Sequence, residues 1–173
     1  MAYNSVISWV IPVHAAAATV SLLLGAYNLR HRPKGDRTHR RVGRVWMIAM
    51  YFTVLSSFLI RELRPGHFSW IHGLSVFTFA TLTVGLWAAR AGRVRLHRQF
   101  ITGSYLGLVG AFMGAVVVPV RHIPQWILHR PVPLALATAG CVLVAVATVV
   151  LARRSKPRNA SPASMRVRVT SAG

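Results

Sequence analysis

The stretch RHRPKGDRTHRRVGR, residues 30–44, is densely basic and lies between two runs that carry no charge. Residues 6–28 and residues 45–60 contain no Asp, Glu, Lys or Arg. An apolar run of about 20 residues is long enough to cross a bilayer as a helix. Basic blocks that alternate with such runs are typical of a protein that crosses the membrane several times.

Five runs of this kind predict an all-α, polytopic membrane helical bundle. Each is long enough to span a bilayer, since a helix rises about 1.5 Å per residue. We expect an integral membrane domain over residues 1–152 and a disordered, basic cytoplasmic tail over residues 153–173. The predicted spans cover approximately residues 6–28, 42–60, 68–89, 99–120 and 132–152.

Composition agrees with a membrane location and excludes several kinds of chemistry. Hydrophobic residues make up 54% of the chain and charged residues 13%, against about 25% charged in soluble domains. The two acidic residues, Asp36 and Glu62, both fall in loops, which excludes paired-carboxylate catalysis and a carboxylate proton relay within the membrane. The single cysteine, Cys141, excludes an intramolecular disulfide, a CxxC redox pair and an iron–sulfur cluster. No hydrolase or transferase motif is present, so an enzymatic role is left open.

The distribution of the 21 basic residues predicts the orientation. They concentrate between spans one and two, between spans three and four, and after span five, which places these segments in the cytoplasm and the N-terminus outside. A charge of +19 held in such blocks indicates anionic lipid at the cytoplasmic face rather than nucleic acid. The tryptophans, whose rings favour membrane interfaces, fall at predicted span boundaries, at positions Trp9, Trp46, Trp70, Trp87 and Trp126.

The chain contains an internal repeat at an offset of 58 residues. His14 aligns with His72 and His39 with His97, so each half keeps the same 25-residue interval between its two histidines. Three arginine matches accompany them: Arg32 with Arg90, Arg37 with Arg95, and Arg40 with Arg98. The repeat predicts a four-helix core made of two parallel helical hairpins, with the fifth span as a peripheral helix.

Two histidine pairs are candidate sites. His14 and His72 are expected near the outer surface of spans one and three, and His39 and His97 at the inner boundary of spans two and four. An ionisable residue inside a membrane is a functional candidate, although an imidazole can equally serve as a hydrogen-bonding group between helices.

Stripes of small residues offer two interpretations. Ala18, Ser21 and Gly25 continue the face of His14, and span four carries glycines at similar spacing, at positions 103, 107, 110 and 114. Such stripes favour close packing of helices. They would also leave room for a flat cofactor such as a porphyrin.

The His-Arg step at residues 39–44, HRRVGR, stands one basic loop after a span with His14, and His97-Arg98 repeats it after His72-Gly73. Over about residues 10–125 the chain resembles the bacterial integral membrane proteins of domain-of-unknown-function family 2306. This resemblance implies a location in the bacterial plasma membrane and carries no established function. The helix layout is also similar to that of the transmembrane diheme b-type cytochromes that oxidise ascorbate.

The first hypothesis for function is therefore an electron carrier that binds heme b through two histidines. His14 with His72 would ligate an outer heme, and His39 with His97 an inner one. Three arginines are candidates for contacts with heme propionates or lipid phosphate, namely Arg40, Arg44 and Arg98.

Two further hypotheses stay open. The chain is alternatively a non-catalytic accessory or assembly protein of the membrane, with histidines that serve only packing. A zinc or copper site formed by outer histidines is the third, since imidazole suits both metals. Its candidate ligands are His14, His67, His72 and His122. The sequence specifies no protein partner, electron donor or acceptor.

Overall fold

The computed structural model describes residues 2–60, 70–117 and 131–154. Within these ranges the chain forms five α-helices and no strand. They are α1 (Ala2–Arg30), α2 (Arg37–Ser57), α3 (Trp70–Arg90), α4 (Val94–Val117) and α5 (Pro131–Arg154). The predicted all-α fold is confirmed. Several predicted features lie outside the described ranges. They are the three histidines predicted in outer loops (His67, His122 and His129), Glu62, Trp126, and residues 155–173 of the predicted tail.

The first four helices form an antiparallel bundle. α1 packs against α2 and α4, and α3 also packs against α2 and α4, whereas within the described ranges α1 does not approach α3 and α2 does not approach α4. These two non-touching pairs are therefore the diagonals of a four-helix bundle. The hairpins α1–α2 and α3–α4 are the two halves of the repeat, and α5 packs outside them against α1 and α2.

The helices begin earlier on the basic side than the apolar runs do. α2 begins at Arg37 because Asp36 caps it: the Asp36 carboxylate accepts a hydrogen bond of 2.7 Å from the His39 backbone N–H. α4 begins at Val94 rather than at the predicted residue 99. Both helices thus extend a polar first turn beyond the apolar run. α5 continues through Arg154, two residues beyond the predicted end of the fifth span.

Large apolar side chains and the rings of Trp46 and Tyr105 fill the middle of the bundle. Leu24, Met50 and Leu82 are fully buried, and Trp46 is only 3% exposed. The Trp46 indole donates a hydrogen bond of 2.9 Å from Nε1 to the Ser21 carbonyl. The ring therefore faces the interior of the bundle rather than lipid, and the depth of Trp46 at a membrane interface stays a prediction. Its indole N–H finds a backbone acceptor on α1, which removes the polar cost of burying the ring.

Glycine has different roles on α1 and α4. A Cβ atom at Gly25 would lie 2.5 Å from Tyr105 Cδ2 and 2.7 Å from Trp46 Nε1, so the absence of a side chain lets two rings pack there. Close packing is thus the observed use of the α1 stripe at this position. The α4 glycines at 103, 107, 110 and 114 are exposed. A Cβ atom added at any of them would meet no atom of another helix within 4 Å in the described part of the chain.

The outward surface is apolar, as a lipid environment requires. Ile48, Phe77, Leu106 and Leu143 are each at least 61% exposed, an arrangement that soluble monomers rarely show. Four helical segments are long and apolar enough to cross a membrane, at residues 9–30, 72–90, 94–117 and 135–154. α2 is not among them because four arginines lie in its first eight residues. The chain is therefore a multi-pass membrane protein, and α2 as a fifth span remains a prediction.

Candidate functional site

The candidate histidines lie at the two ends of the bundle. We call the end that holds the connections 31–36 and 91–93 the basic end, and the end where α2 stops and α3 starts the opposite end. The outer histidine pair lies at the opposite end, and the inner pair lies at the basic end. Gly25 is 11 residues along α1 from His14, which places it about 16 Å further along the helix axis at about 1.5 Å per residue. The side chains that pack at Gly25 are therefore well separated from His14.

His14 is held by the last turn of α2. Its Nδ1 lies 2.8 Å from the Ser56 hydroxyl oxygen, and this hydroxyl also lies 3.1 Å from the Thr53 carbonyl oxygen on its own helix. When Ser56 donates its single proton to that carbonyl, it accepts from His14 Nδ1, and Nε2 of His14 is the nitrogen left with a lone pair.

His72 lies at the same end of the bundle, on α3. It is only 4% exposed, and its ring centroid lies 5.9 Å from that of Phe58, directly after α2. One turn further along α3, the Ser75 and Ser57 hydroxyl oxygens lie 2.7 Å apart. Residues 56–58, at the end of α2, therefore contact His14, the Ser75 turn and His72 in succession, and both histidines lie at this end of the bundle on diagonal helices.

The inner pair lies in the first turns of α2 and α4. His97 Nδ1 lies 2.9 Å from the Gly85 carbonyl oxygen on α3. A carbonyl only accepts, so His97 carries a proton on Nδ1, and Nε2 is the nitrogen that could ligate a metal. His39 Nδ1 is buried and has no hydrogen-bond partner among the described residues.

Electrostatics keeps His39 neutral. Burial lowers its pKa below the ordinary value, and the positive charge of Lys34 and the neighbouring His97 and His31 lower that pKa further. Asp36 opposes these effects only in part. A neutral imidazole is the form that can ligate a metal.

The three candidate arginines face outward. Arg40, Arg44 and Arg98 are all exposed. Arg40 and Arg44 share a helical stripe with Ile48, which is 70% exposed, so they belong to the outer surface of α2. Burial lowers the pKa of Lys34, and the positive charges of Arg32 and Arg98 lower it further.

Sequence reasoning missed a hydrogen-bonded chain at the basic end. Arg153 on α5 donates from Nε to the Tyr27 hydroxyl at 3.0 Å, and this hydroxyl lies 3.2 Å from His31 Nδ1. His31 Nε2 in turn lies 3.0 Å from Asp36 Oδ1. The spacing of Tyr27 and His31, four residues apart at the end of a helix, is the one signal that could have indicated this contact.

The basic end also satisfies the last carbonyls of α1. The Lys34 ammonium donates hydrogen bonds of 2.7 Å to the backbone oxygens of Asn28 and Leu29. A lysine at this position offsets the negative end of the helix dipole. The hydrogen bond from the His39 backbone N–H to Asp36 lowers the pKa of this carboxyl, and His31 contributes to the same shift.

A metal cluster of protein side chains does not occur in the described part of the chain. No group of three or more His, Cys, Asp or Glu side chains there is arranged to hold a metal ion. Two of the four residues in the zinc or copper hypothesis, His67 and His122, lie outside that part, so this hypothesis stays a prediction.

Comparison with known proteins identifies the family. Residues 11–153 match the family model of domain-of-unknown-function family 2306, described as a predicted membrane protein. The chain therefore belongs to this family, and the resemblance inferred from the His-Arg steps is confirmed. No curated protein and no solved structure matches the chain.

Proposed function

We propose that this protein is a membrane electron carrier of the b-type cytochrome kind, in which His14 and His72 would hold a heme at the opposite end of the bundle. One observation supports the proposal above the others: Nδ1 of His14 and Nδ1 of His97, one from each candidate pair, both lie within hydrogen-bond distance of an oxygen on the neighbouring helix. Histidines that ligate a metal usually donate one ring N–H to a protein acceptor, which orients the other nitrogen toward the metal.

The donor set fits a heme. His14 and His72 lie on diagonal helices, so their rings can approach one site in the bundle from opposite sides. Ser56 would hold the ring plane of His14, and Phe58 would pack beside His72. When bound, the heme would supply reversible one-electron transfer. The chain itself would exclude water and provide two neutral nitrogen ligands in apolar surroundings.

His39 and His97 are proposed as a second ligand pair at the basic end. His97 has the same anchored geometry, and His39 is kept neutral by its surroundings. The exposure of Arg40, Arg44 and Arg98 favours contacts with lipid phosphate over contacts with propionates inside the bundle. We therefore propose that these arginines bind anionic lipid at the cytoplasmic face.

A non-catalytic accessory role is the second candidate, and one observation favours it. The His14–Ser56 and His97–Gly85 hydrogen bonds each join two neighbouring helices. Such bonds stabilise membrane helix packing by about 0.6 kcal/mol each. In that case the histidines would bind no cofactor.

An absorption spectrum of the purified protein distinguishes the two functions. Protein produced in heme-replete cells and reduced with dithionite should show a Soret band and sharp visible bands of low-spin heme b. Pyridine hemochrome analysis of the same sample should give at least one heme per chain. A folded, colourless preparation with no heme would contradict the electron-carrier proposal and support the accessory role.

The proposed topology has five spans, with the N-terminus outside and the C-terminus in the cytoplasm. It rests on the charge of the connections, which favours their retention in the cytoplasm. Reporter fusions after Arg37, Gly66, Arg95, Pro124 and Arg158 should read inside, outside, inside, outside, inside. A periplasmic signal at Arg37 or Arg95 would reject this orientation.

A further inference from the structure

Four side chains form a continuous hydrogen-bonded chain from α5 to α2 at the basic end. They are Arg153, Tyr27, His31 and Asp36, which we call the basic-end clasp. It joins the last turn of α5 to the end of α1, then crosses the connection to the residue that caps α2. The Arg153 guanidinium also lies over the Tyr27 ring, 5.4 Å from its centroid.

The direction of each hydrogen bond follows from the groups themselves. The Asp36 carboxylate only accepts, so His31 donates from Nε2. A neutral His31 then accepts at Nδ1 from the Tyr27 hydroxyl, whose oxygen in turn accepts from Arg153 Nε. Both ring nitrogens of His31 and the Tyr27 hydroxyl are used in this arrangement, and Nδ1 of His31 can accept only while His31 is neutral.

A second proton on His31 would change both of its sides. Nδ1 would become a donor, so the Tyr27 O–H could no longer point at it. A second cation would then face the Tyr27 oxygen that Arg153 already contacts. On the other side, a positive His31 would bind the Asp36 carboxylate more strongly. Protonation therefore weakens the link to α5 and strengthens the link to α2.

We propose that the basic-end clasp is a pH-sensitive attachment of α5, closed when His31 is neutral and open when it is protonated. Histidine is the side chain whose charge ordinarily changes between about pH 5 and pH 8. Two groups contact His31 directly, Tyr27 on α1 and Asp36 in the connection. Other charged or titratable groups act on its neighbours: Lys34 in the connection, His39 on α2, His97 and Arg98 on α4, and Arg153 on α5.

A second hydrogen bond and apolar packing also hold α5 near this end. Arg41 donates from Nη1 to the Ala152 carbonyl at 3.3 Å, and Ala145 and Ala152 are buried against the bundle. The outer face of α5 is apolar, with Leu143 and Leu151 at least 66% exposed. The helix can therefore shift within lipid without exposing polar surface.

Distances between spin labels test the proposal in the full chain. Labels at Arg154→Cys on α5 and Arg40→Cys on α2, both exposed positions, would be placed in a Cys141→Ala background reconstituted in lipid. We expect one short distance at about pH 8 and an additional longer distance at about pH 5.5, where histidine is protonated.

Two variants separate the clasp from general effects of pH. His31→Gln cannot titrate, but its amide can accept from Tyr27 and donate to Asp36, so the short distance should persist at both pH values. Tyr27→Phe removes the oxygen that joins His31 to Arg153, so the longer distance should appear at both. An unchanged distance in the parent chain, or a pH response that survives in His31→Gln, would overturn the proposal.

Discussion

His14→Ala and His72→Ala are each expected to remove the same heme centre completely. The two imidazoles lie at one end of the bundle on diagonal helices. The His14 ring lies within hydrogen-bond distance of Ser56 in the last turn of α2, and the His72 ring lies beside Phe58, directly after that helix. A six-coordinate heme seldom keeps its low-spin state with one axial ligand missing, so each variant should lose the sharp visible bands. The measurement is the reduced spectrum, normalised to protein concentration.

Matched controls keep this result specific to the pair. His67→Ala and His129→Ala remove imidazoles that fall in predicted loops, and both should retain the bands. Far-ultraviolet circular dichroism should show that all four variants stay helical. If His14→Ala loses heme and His72→Ala retains it fully, the two residues do not share one centre. If the histidines serve packing only, each substitution should cost about 0.6 kcal/mol and change no spectrum.

Gly25→Ala is expected to destabilise the bundle, because two rings occupy the space that a Cβ atom would need. The distances are 2.5 Å to Tyr105 Cδ2 and 2.7 Å to Trp46 Nε1. Neither ring can withdraw easily: Trp46 is hydrogen-bonded to the Ser21 carbonyl, and Tyr105 donates to the Leu22 carbonyl at 3.4 Å. Overpacking of this kind costs about 1–3 kcal/mol, and Gly25→Val should cost more.

Gly107→Ala is the control for this prediction. No described atom lies within 4 Å of the added Cβ, and the position is exposed on α4. Unfolding in mixed micelles of mild detergent and sodium dodecyl sulfate gives the free energy of both variants. Equal stability of Gly25→Ala and Gly107→Ala would show that the middle layer is not packed as described.

The helices and their pairing could be predicted because they depend on features that a single sequence displays. The uncharged runs predict the helices, and the repeated interval between His14 and His39 predicts the two hairpins. The helix starts could not be placed from apolarity alone. Asp36 extends α2 by capping a first turn that is itself strongly basic.

The hydrogen-bond partners of the candidate histidines could not be predicted. Ser56 is one of many hydroxyl residues in the apolar runs, and only the packing of α1 on α2 brings it to His14. Gly85 contributes a backbone carbonyl, which leaves no trace in side-chain chemistry. The depth of Trp46 in the membrane was predicted from its position along the chain. That position does not show which side of α2 carries the ring, and the structure places the ring on the buried side.

The basic-end clasp escaped prediction for a related reason. Arg153 and Tyr27 are separated by 126 positions in the chain, and α5 lies beyond the repeat that organises the other helices. Nothing in the repeat indicates where α5 docks. Its basic last turn was interpreted as part of the tail, whereas the structure uses that turn to contact α1.

Near-infrared magnetic circular dichroism of the oxidised protein tests the central claim most directly, because the charge-transfer band of ferric low-spin heme reports which two groups ligate the iron. Ligation by His14 and His72 predicts the band position of two neutral histidines, and the loss of that band in His14→Ala. A band that indicates histidine with methionine or cysteine, a high-spin spectrum, or no heme band from a folded preparation of heme-replete cells would contradict it.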